Sequence, residues 1–138
     1  MTPPIIKISA YKAWKNRPGC KPYDTDFYTE MNRIKDGYYK VIADKYRSIT
    51  DKEQKQSYKI NELPSLTISA VCKVWRKTDN VVNHTGLLNL DIDQKANPHI
   101  TDWGAVRDQI FGMKGVVACF LSVSGEGVTF VVKINPDH

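Results

Sequence analysis

A predicted strand that ends in two carboxylates constrains the fold of this chain more than any other feature. Residues 86–90 form a mostly apolar run that leads into Asp91 and Asp93. Because side chains two residues apart on a strand share a face, the two carboxylates point one way, and Leu90 and Ile92 point the other. The chain must therefore build a sheet with one apolar face to bury and one face that accommodates charge.

The spacing of this pair leaves two interpretations open. Neighbouring carboxylates repel each other and lose hydration when buried, unless a cation lies between them. A hard ion such as Mg²⁺ suits that position, because it takes one or two carboxylates and completes its shell with water and phosphate oxygens. The simpler interpretation, which the spacing alone favours, is a strand that runs out into a polar turn with both Asp91 and Asp93 solvated.

The hydrophobic pattern of the whole chain predicts a mixed fold. A strand and a helix are followed by the order β-β-α-β-β, which an antiparallel sheet with helices on one face satisfies. We therefore predict an α+β fold with an RRM-like antiparallel sheet, and both carboxylates on its open face. The predicted elements are a strand over 5–10, a loop over 15–26, a helix over 26–47 that Gly37 weakens or splits, a loop or extra helical turn over 50–57, a strand over 66–75, a turn at 78–80, a strand over 86–92, a helix over 102–112 capped by Thr101 and ended by Gly112 or Gly115, and strands over 116–122 and 128–134.

Charge is divided unevenly along the chain. Residues 1–60 contain 13 Lys or Arg against 7 Asp or Glu, whereas residues 61–138 contain 7 against 8. A basic half beside a carboxylate pair suits a polyanionic partner such as nucleic acid, although a solvated lysine-rich face is the simpler alternative. The cations predicted to contact nucleic acid are Arg47, Lys52, Lys55 and Lys59.

Length and composition limit the class of protein. The length fits one domain over residues 1–138. The sequence has no apolar run of transmembrane length and no signal-peptide pattern, which predicts a soluble, cytoplasmic protein without a membrane partner. Its three cysteines are isolated, which argues against a disulfide framework or a zinc site. Residues 135–138 follow an apolar strand without a closing helix, so we expect a fragment of a longer protein.

A glycine-rich turn joins the last two predicted strands. Gly125 and Gly127 allow a sharp turn and a close approach by a ligand, and Ser124 supplies a hydroxyl. A plain β-hairpin turn explains the same residues. The position of this turn, one helix after the carboxylate strand, is what gives it functional interest.

Taken together, these motifs resemble the catalytic core of the archaeo-eukaryotic primase superfamily. Its first motif is Asp-x-Asp or Asp-x-Glu on a strand, and its second is small-x-His on a strand shortly downstream. The resemblance is closer to the VirE-type N-terminal domain, a branch found in proteins of bacterial mobile elements, and covers most of residues 30–134. The residues that carry it are Lys59, Leu63–Ser69, Thr85–Asp93, Ser122–Gly127 and the strand through Lys133 and Ile134, with Ile34–Gly37, Tyr46 and Arg47 upstream.

The resemblance implies a metal-dependent nucleotidyltransferase that makes or extends short primers during replication of a mobile element. Its partners would be single-stranded DNA, nucleotides and a helicase domain in the same or another chain. Asp91 and Asp93 would bind Mg²⁺ or Mn²⁺, which hold an incoming triphosphate and activate a 3′-hydroxyl for in-line attack. The residues expected near the nucleotide are Ser124, Gly125, Gly127, Thr129 and Lys133.

Two positions depart from the superfamily pattern. Thr129 stands where many members carry the nucleotide-contacting His, and a hydroxyl cannot supply the charge of an imidazole. The acidic residue of a third motif is expected beyond residue 134, and Asp137 falls early for that role. We therefore expect an incomplete domain that is inactive on its own. A second hypothesis is a catalytically inactive nucleic-acid-binding or regulatory module with a primase-like fold.

Overall fold

The computed structural model describes residues 3–135 and shows an α+β fold, as the sequence predicts. Asp137 lies outside the described residues. The chain divides into two compact units, one ending at Thr85 and the other beginning at Gly86. The assignment of residues 1–138 to one domain stays a prediction. No helix within 3–135 is long and apolar enough to cross a membrane.

The described part of the first unit combines three helices with five short strands. The strands form two antiparallel sheets, one with the order β2-β1-β3 and one that pairs β4 with β5. Its elements are β1 (Lys7–Tyr11), β2 (Tyr23–Asp26), α1 (Phe27–Lys35), α2 (Lys40–Ser48), α3 (Lys52–Glu62), β3 (Ser65–Thr67), β4 (Ala70–Cys72) and β5 (Val81–His84).

The predicted helix over 26–47 is split in two, as Gly37 suggests. Gly37 has a φ of +80°, a left-handed conformation that ends α1 before α2 begins. Asp26 starts α1, because its Oδ2 accepts a hydrogen bond of 3.0 Å from the backbone N–H of Thr29. The same carboxylate accepts a hydrogen bond from the backbone N–H of Ile6, which joins the helix start to the chain before β1.

Two predictions for the first unit are wrong in detail, and a third is correct in part. The loop over 15–26 contains β2, whereas the segment over 50–57, predicted as a loop or an extra helical turn, contains the start of the helix α3. Asp51 begins that helix by accepting a hydrogen bond of 2.8 Å from the backbone N–H of Gln54. The strand over 66–75 is broken, because β3 pairs with β1 whereas β4 pairs with β5.

The second unit is built on a split β-α-β arrangement. Strand β8 lies between β6 and β7 and is antiparallel to both, so β6 and β7 run parallel and are connected through α4. Its described elements are β6 (Leu87–Asp93), α4 (Trp103–Phe111), β7 (Val116–Leu121) and β8 (Gly127–Lys133). The described strands of the chain thus occupy three antiparallel sheets, where the sequence predicted one.

Helix α4 covers one face of this three-stranded sheet. Trp103 and Ile110 of the helix are buried together with Val128 of β8, and Ile92 packs against them. The helix begins at Asp102, whose Oδ1 accepts a hydrogen bond of 3.0 Å from a backbone N–H one turn later, so the prediction of Thr101 as the cap is wrong by one residue. Its end at Gly112 is confirmed.

Candidate functional site

Strand β6 presents Asp91 and Asp93 on the face of its sheet that α4 does not cover. Ile92 packs in the cluster beneath α4, and its two neighbours along the strand therefore point the opposite way. Both carboxylates are exposed. Two residues along a strand span about 7 Å. The predicted geometry of the pair, two carboxylates on one open face, is confirmed for this unit.

Asp91 is held by the strand beside it. It lies directly opposite Thr129 in the β6–β8 register, and the Thr129 hydroxyl donates a hydrogen bond of 2.5 Å to Asp91 Oδ1. A hydroxyl that donates to an ionised carboxylate favours one orientation of that side chain. Thr129 therefore positions a carboxylate here, and its predicted contact with the nucleotide stays a prediction.

Asp93 closes the loop that follows β6. Its Oδ1 accepts a hydrogen bond of 2.9 Å from the backbone N–H of Ala96, and its backbone carbonyl accepts one of 3.0 Å from the side-chain amide of Asn97. This is the local pairing that Asp and Asn adopt in turns. The simpler interpretation of the sequence, a strand that runs out into a polar turn, includes a turn at this position.

Gly127 lies directly opposite Asp93 and is buried between the strands. A Cβ at this position would lie 2.7 Å from the backbone carbonyl oxygen of Ile92 and 3.1 Å from Ser122 Oγ. Gly125 has a φ of +77°, which favours glycine at the tip of the turn. The two glycines therefore serve different purposes, one conformational and one steric.

Ser124 is engaged within the turn. Its Oγ lies 3.1 Å from Ser122 Oγ and accepts a hydrogen bond of 3.2 Å from the backbone N–H of Glu126. The backbone N–H of Gly125 donates to the Ser122 carbonyl over 2.9 Å. The Ser124 hydroxyl thus shapes the hairpin that lies beside Asp93, and a phosphate contact by Ser124 stays a prediction.

Lys133 lies at the other end of β8. It pairs with Leu87 at the start of β6, four residues from the Thr129–Asp91 pair. Four residues along a strand span about 13 Å. Alternation puts Lys133 and Thr129 on one face, but the structure does not bring the ammonium group together with the carboxylates.

The site offers two carboxylates to a metal ion. Among residues 3–135, no group of three or more His, Cys, Asp and Glu side chains converges in a way that could hold one. Oδ2 of Asp91 and Oδ2 of Asp93 accept no hydrogen bond within the described chain. Two exposed carboxylates fit Mg²⁺ or Mn²⁺ in their chemistry, because these ions commonly take one or two carboxylates and complete their shell with water and phosphate oxygens.

The basic residues predicted to bind nucleic acid lie in the first unit. Arg47 belongs to the last turn of α2, while Lys52, Lys55 and Lys59 follow one face of α3 at spacings of three and four. Lys55 Nζ lies 4.8 Å from the ring centroid of Tyr46, and Lys59 Nζ lies 4.6 Å from that of Trp14. The sequence analysis predicted neither ring contact, and it assigned residues 50–57 to a loop or an extra helical turn.

A comparison with protein families gives one match. The family model described as BT4734-like, N-terminal domain, matches residues 58–138, which is more than half of the chain. No curated protein and no solved structure matches. The matched region contains the carboxylate strand, the hairpin and Lys59, and it leaves out Arg47, Lys52 and Lys55.

Proposed function

The chain belongs to the BT4734-like N-terminal domain family, and we propose that it is a metal-dependent, primase-polymerase-like nucleotidyltransferase domain. In this proposal it acts on single-stranded DNA in the cytoplasm of a bacterium, within a mobile-element replication protein that works with a helicase domain. The VirE-like sequence motifs motivate the comparison. The observation that carries the proposal is the exposed pair Asp91 and Asp93 on the sheet face opposite α4.

In the proposed reaction, Asp91 and Asp93 would hold a divalent ion, and the chemistry that ion would supply is positive charge at the phosphates of an incoming nucleotide. Thr129 keeps Asp91 in one orientation through its 2.5 Å hydrogen bond. The hairpin that contains Gly125 and Gly127 lies beside Asp93, and in this proposal the triphosphate approaches the end of β6 from that side.

A second function, a nucleic-acid-binding or regulatory module without catalysis, is favoured by one observation. The position that many primase relatives use for a nucleotide-contacting imidazole is occupied by Thr129, whose hydroxyl is already committed to Asp91. In this alternative the carboxylate pair binds a cation, and nucleotide transfer does not occur.

A Mn²⁺ titration followed by NMR tests the metal site. Paramagnetic broadening is expected at the amides of residues 89–93 and 122–129, and it should disappear in the Asp91→Asn/Asp93→Asn variant. Asp108→Asn is the matched control, because it removes one exposed carboxylate from α4 of the same unit. Broadening that persists in the double variant, or that disappears in Asp108→Asn instead, would contradict the assignment of the metal site to Asp91 and Asp93.

An incorporation assay then separates the two functions. The chain is incubated with Mn²⁺, a single-stranded DNA template and labelled deoxynucleoside triphosphates. Labelled product that is lost in Asp91→Asn/Asp93→Asn supports the nucleotidyltransferase. Localised metal binding without product supports the non-catalytic module.

A further inference from the structure

The first unit contains a cleft of about 540 Å³. Its lining comes from the end of β1, the loop that leads into β2, and the last turn of α3. The lining side chains that carry the argument are Tyr11, Lys12, Lys15, Lys21, Tyr23 and Glu62. A volume of this size accommodates one nucleotide-sized group.

Positive charge dominates this cleft. Residues 11–23 contain four Lys or Arg and no Asp or Glu. Within the described chain, Lys12, Lys15 and Lys21 form no ion pair, and Glu62 is the carboxylate in the lining. Three ammonium groups without an acidic partner, gathered around one opening, favour an anionic ligand.

Aromatic rings accompany the lysines. Tyr23 lines the cleft and is 40% exposed, so part of this side chain is open to solvent. Tyr11 is buried, and its hydroxyl donates a hydrogen bond of 2.5 Å to the carbonyl of Val74. Its side chain is therefore held in place as part of the cleft lining. Exposed rings beside cations are the combination that binds single-stranded nucleic acid, because bases stack on the rings while phosphates meet the cations.

The loop that carries these lysines is anchored at several points. The backbone N–H of Lys15 donates to the carbonyl of Ile60 over 3.0 Å. The side-chain amide of Asn16 makes two hydrogen bonds of 2.7 Å with the backbone of Arg76, one as donor and one as acceptor. A loop held in this way loses little further conformational entropy when a ligand binds.

We propose that this cleft binds single-stranded nucleic acid, with Lys12, Lys15 and Lys21 contacting phosphates and Tyr23 stacking on a base. The proposal goes beyond the function proposed above, because it requires neither Asp91 and Asp93 nor a metal ion. It also differs from the predicted basic face of α3, whose lysines do not line the cleft.

Fluorescence anisotropy with a labelled twelve-nucleotide oligothymidylate tests the proposal in EDTA over a series of salt concentrations. Lys12→Gln/Lys15→Gln/Lys21→Gln should weaken binding at least tenfold. The slope of log K against log salt should become less negative by about 2, because each single-strand phosphate contact contributes about 0.7. Tyr23→Ala should weaken binding about tenfold with little change in slope, because stacking is not ionic.

Three comparisons keep the outcome decisive. Lys35→Gln/Lys40→Gln/Lys45→Gln removes the same charge from α1 and α2 and should retain most of the affinity. An equal loss in that variant would overturn the proposal, as would displacement of the oligonucleotide by poly-glutamate or tripolyphosphate at matched charge. Full affinity in Asp91→Asn/Asp93→Asn is expected, and it separates this site from the metal site.

A fallback is available if circular dichroism shows that the triple variant misfolds. Lys12→Gln and Lys21→Gln, each made alone at an exposed residue, should each weaken binding and make the slope of log K against log salt less negative by about 0.7.

Discussion

Gly127→Ala should destabilise the β6–β8 pair for a purely steric reason. The added Cβ would lie 2.7 Å from the carbonyl oxygen of Ile92, a distance that real Cβ atoms essentially never show, and the atom in its way belongs to the backbone. The two strands must therefore separate by a few tenths of an ångström at the pair that carries Asp93. Overpacking of this kind costs about 2 kcal/mol.

Amide hydrogen exchange is the suitable assay, because the chain has two compact units and one unfolding midpoint would mix them. A loss of about 2 kcal/mol should speed exchange of the protected amides of β6 and β8 about thirtyfold, since 1.4 kcal/mol corresponds to a factor of ten. Amides of the first unit should exchange at the wild-type rate.

Gly112→Ala is the matched control within the same unit. Gly112 has a helical φ of −73°, and the nearest backbone atom to an added Cβ is 3.6 Å away, an ordinary contact. This substitution should be neutral or stabilise α4 slightly. Equal exchange rates in Gly127→Ala and Gly112→Ala would refute the steric argument.

Three further predictions concern hydrogen-bonded side chains. Thr129→Val should destabilise the second unit by about 1 kcal/mol, and a double-mutant cycle with Asp91→Asn, measured by hydrogen exchange of the protected amides of β6 and β8, should show that the two effects are coupled rather than additive. Tyr39→Phe should cost about 2 kcal/mol in the first unit, because its hydroxyl donates over 2.5 Å to the fully buried carboxylate of Glu30; unchanged exchange rates of the protected amides of that unit would contradict this. Burial, together with the nearby Cys72, raises the pKa of Tyr11 to about 12, so the neutral phenol is favoured in the folded state. The protonated Tyr11 hydroxyl contributes fully to stability below the pKa of about 10 that it has in the unfolded chain, and this contribution is lost as pH rises towards 12. Tyr11→Phe lacks the titrating hydroxyl, so its free energy of unfolding should decline less steeply over this pH range.

The second unit was the more predictable part of the fold. Apolar and polar residues alternate along β6, and Ile92 and Asp93 indeed point to opposite faces. The pattern there is strong because α4 covers one face and solvent meets the carboxylates on the other. Most of the second unit could therefore be predicted from the spacing of its apolar and polar residues.

The first unit was less predictable, because its elements depend on distant partners or on weak local signals. Residues 66–75 alternate like one strand, but the chain turns at Ile68 and Ser69, and the Thr85 hydroxyl donates to the Ile68 carbonyl over 2.7 Å. Helix α3 has few apolar residues in its first half, so periodicity missed it. Its real signals are the cap at Asp51 and a run of strong helix formers.

The candidate site was predictable as residue types and faces, and its contacts were not. The hydrogen bond between Thr129 and Asp91 depends on the register of β8 against β6, which lies 38 residues away along the chain. The same register separates Lys133 from the carboxylates. Sequence spacing within one strand contains neither fact.

Trp103 gives this protein a built-in optical reporter. Its buried indole N–H donates a hydrogen bond of 2.7 Å to the side chain of Gln94, the residue directly after Asp93. The chain's other two tryptophans, Trp14 and Trp75, belong to the first unit. With those two replaced by Phe, the remaining tryptophan emission would come from the second unit alone, and a cation arriving at the end of β6 would be recorded as a change in that emission without any attached dye.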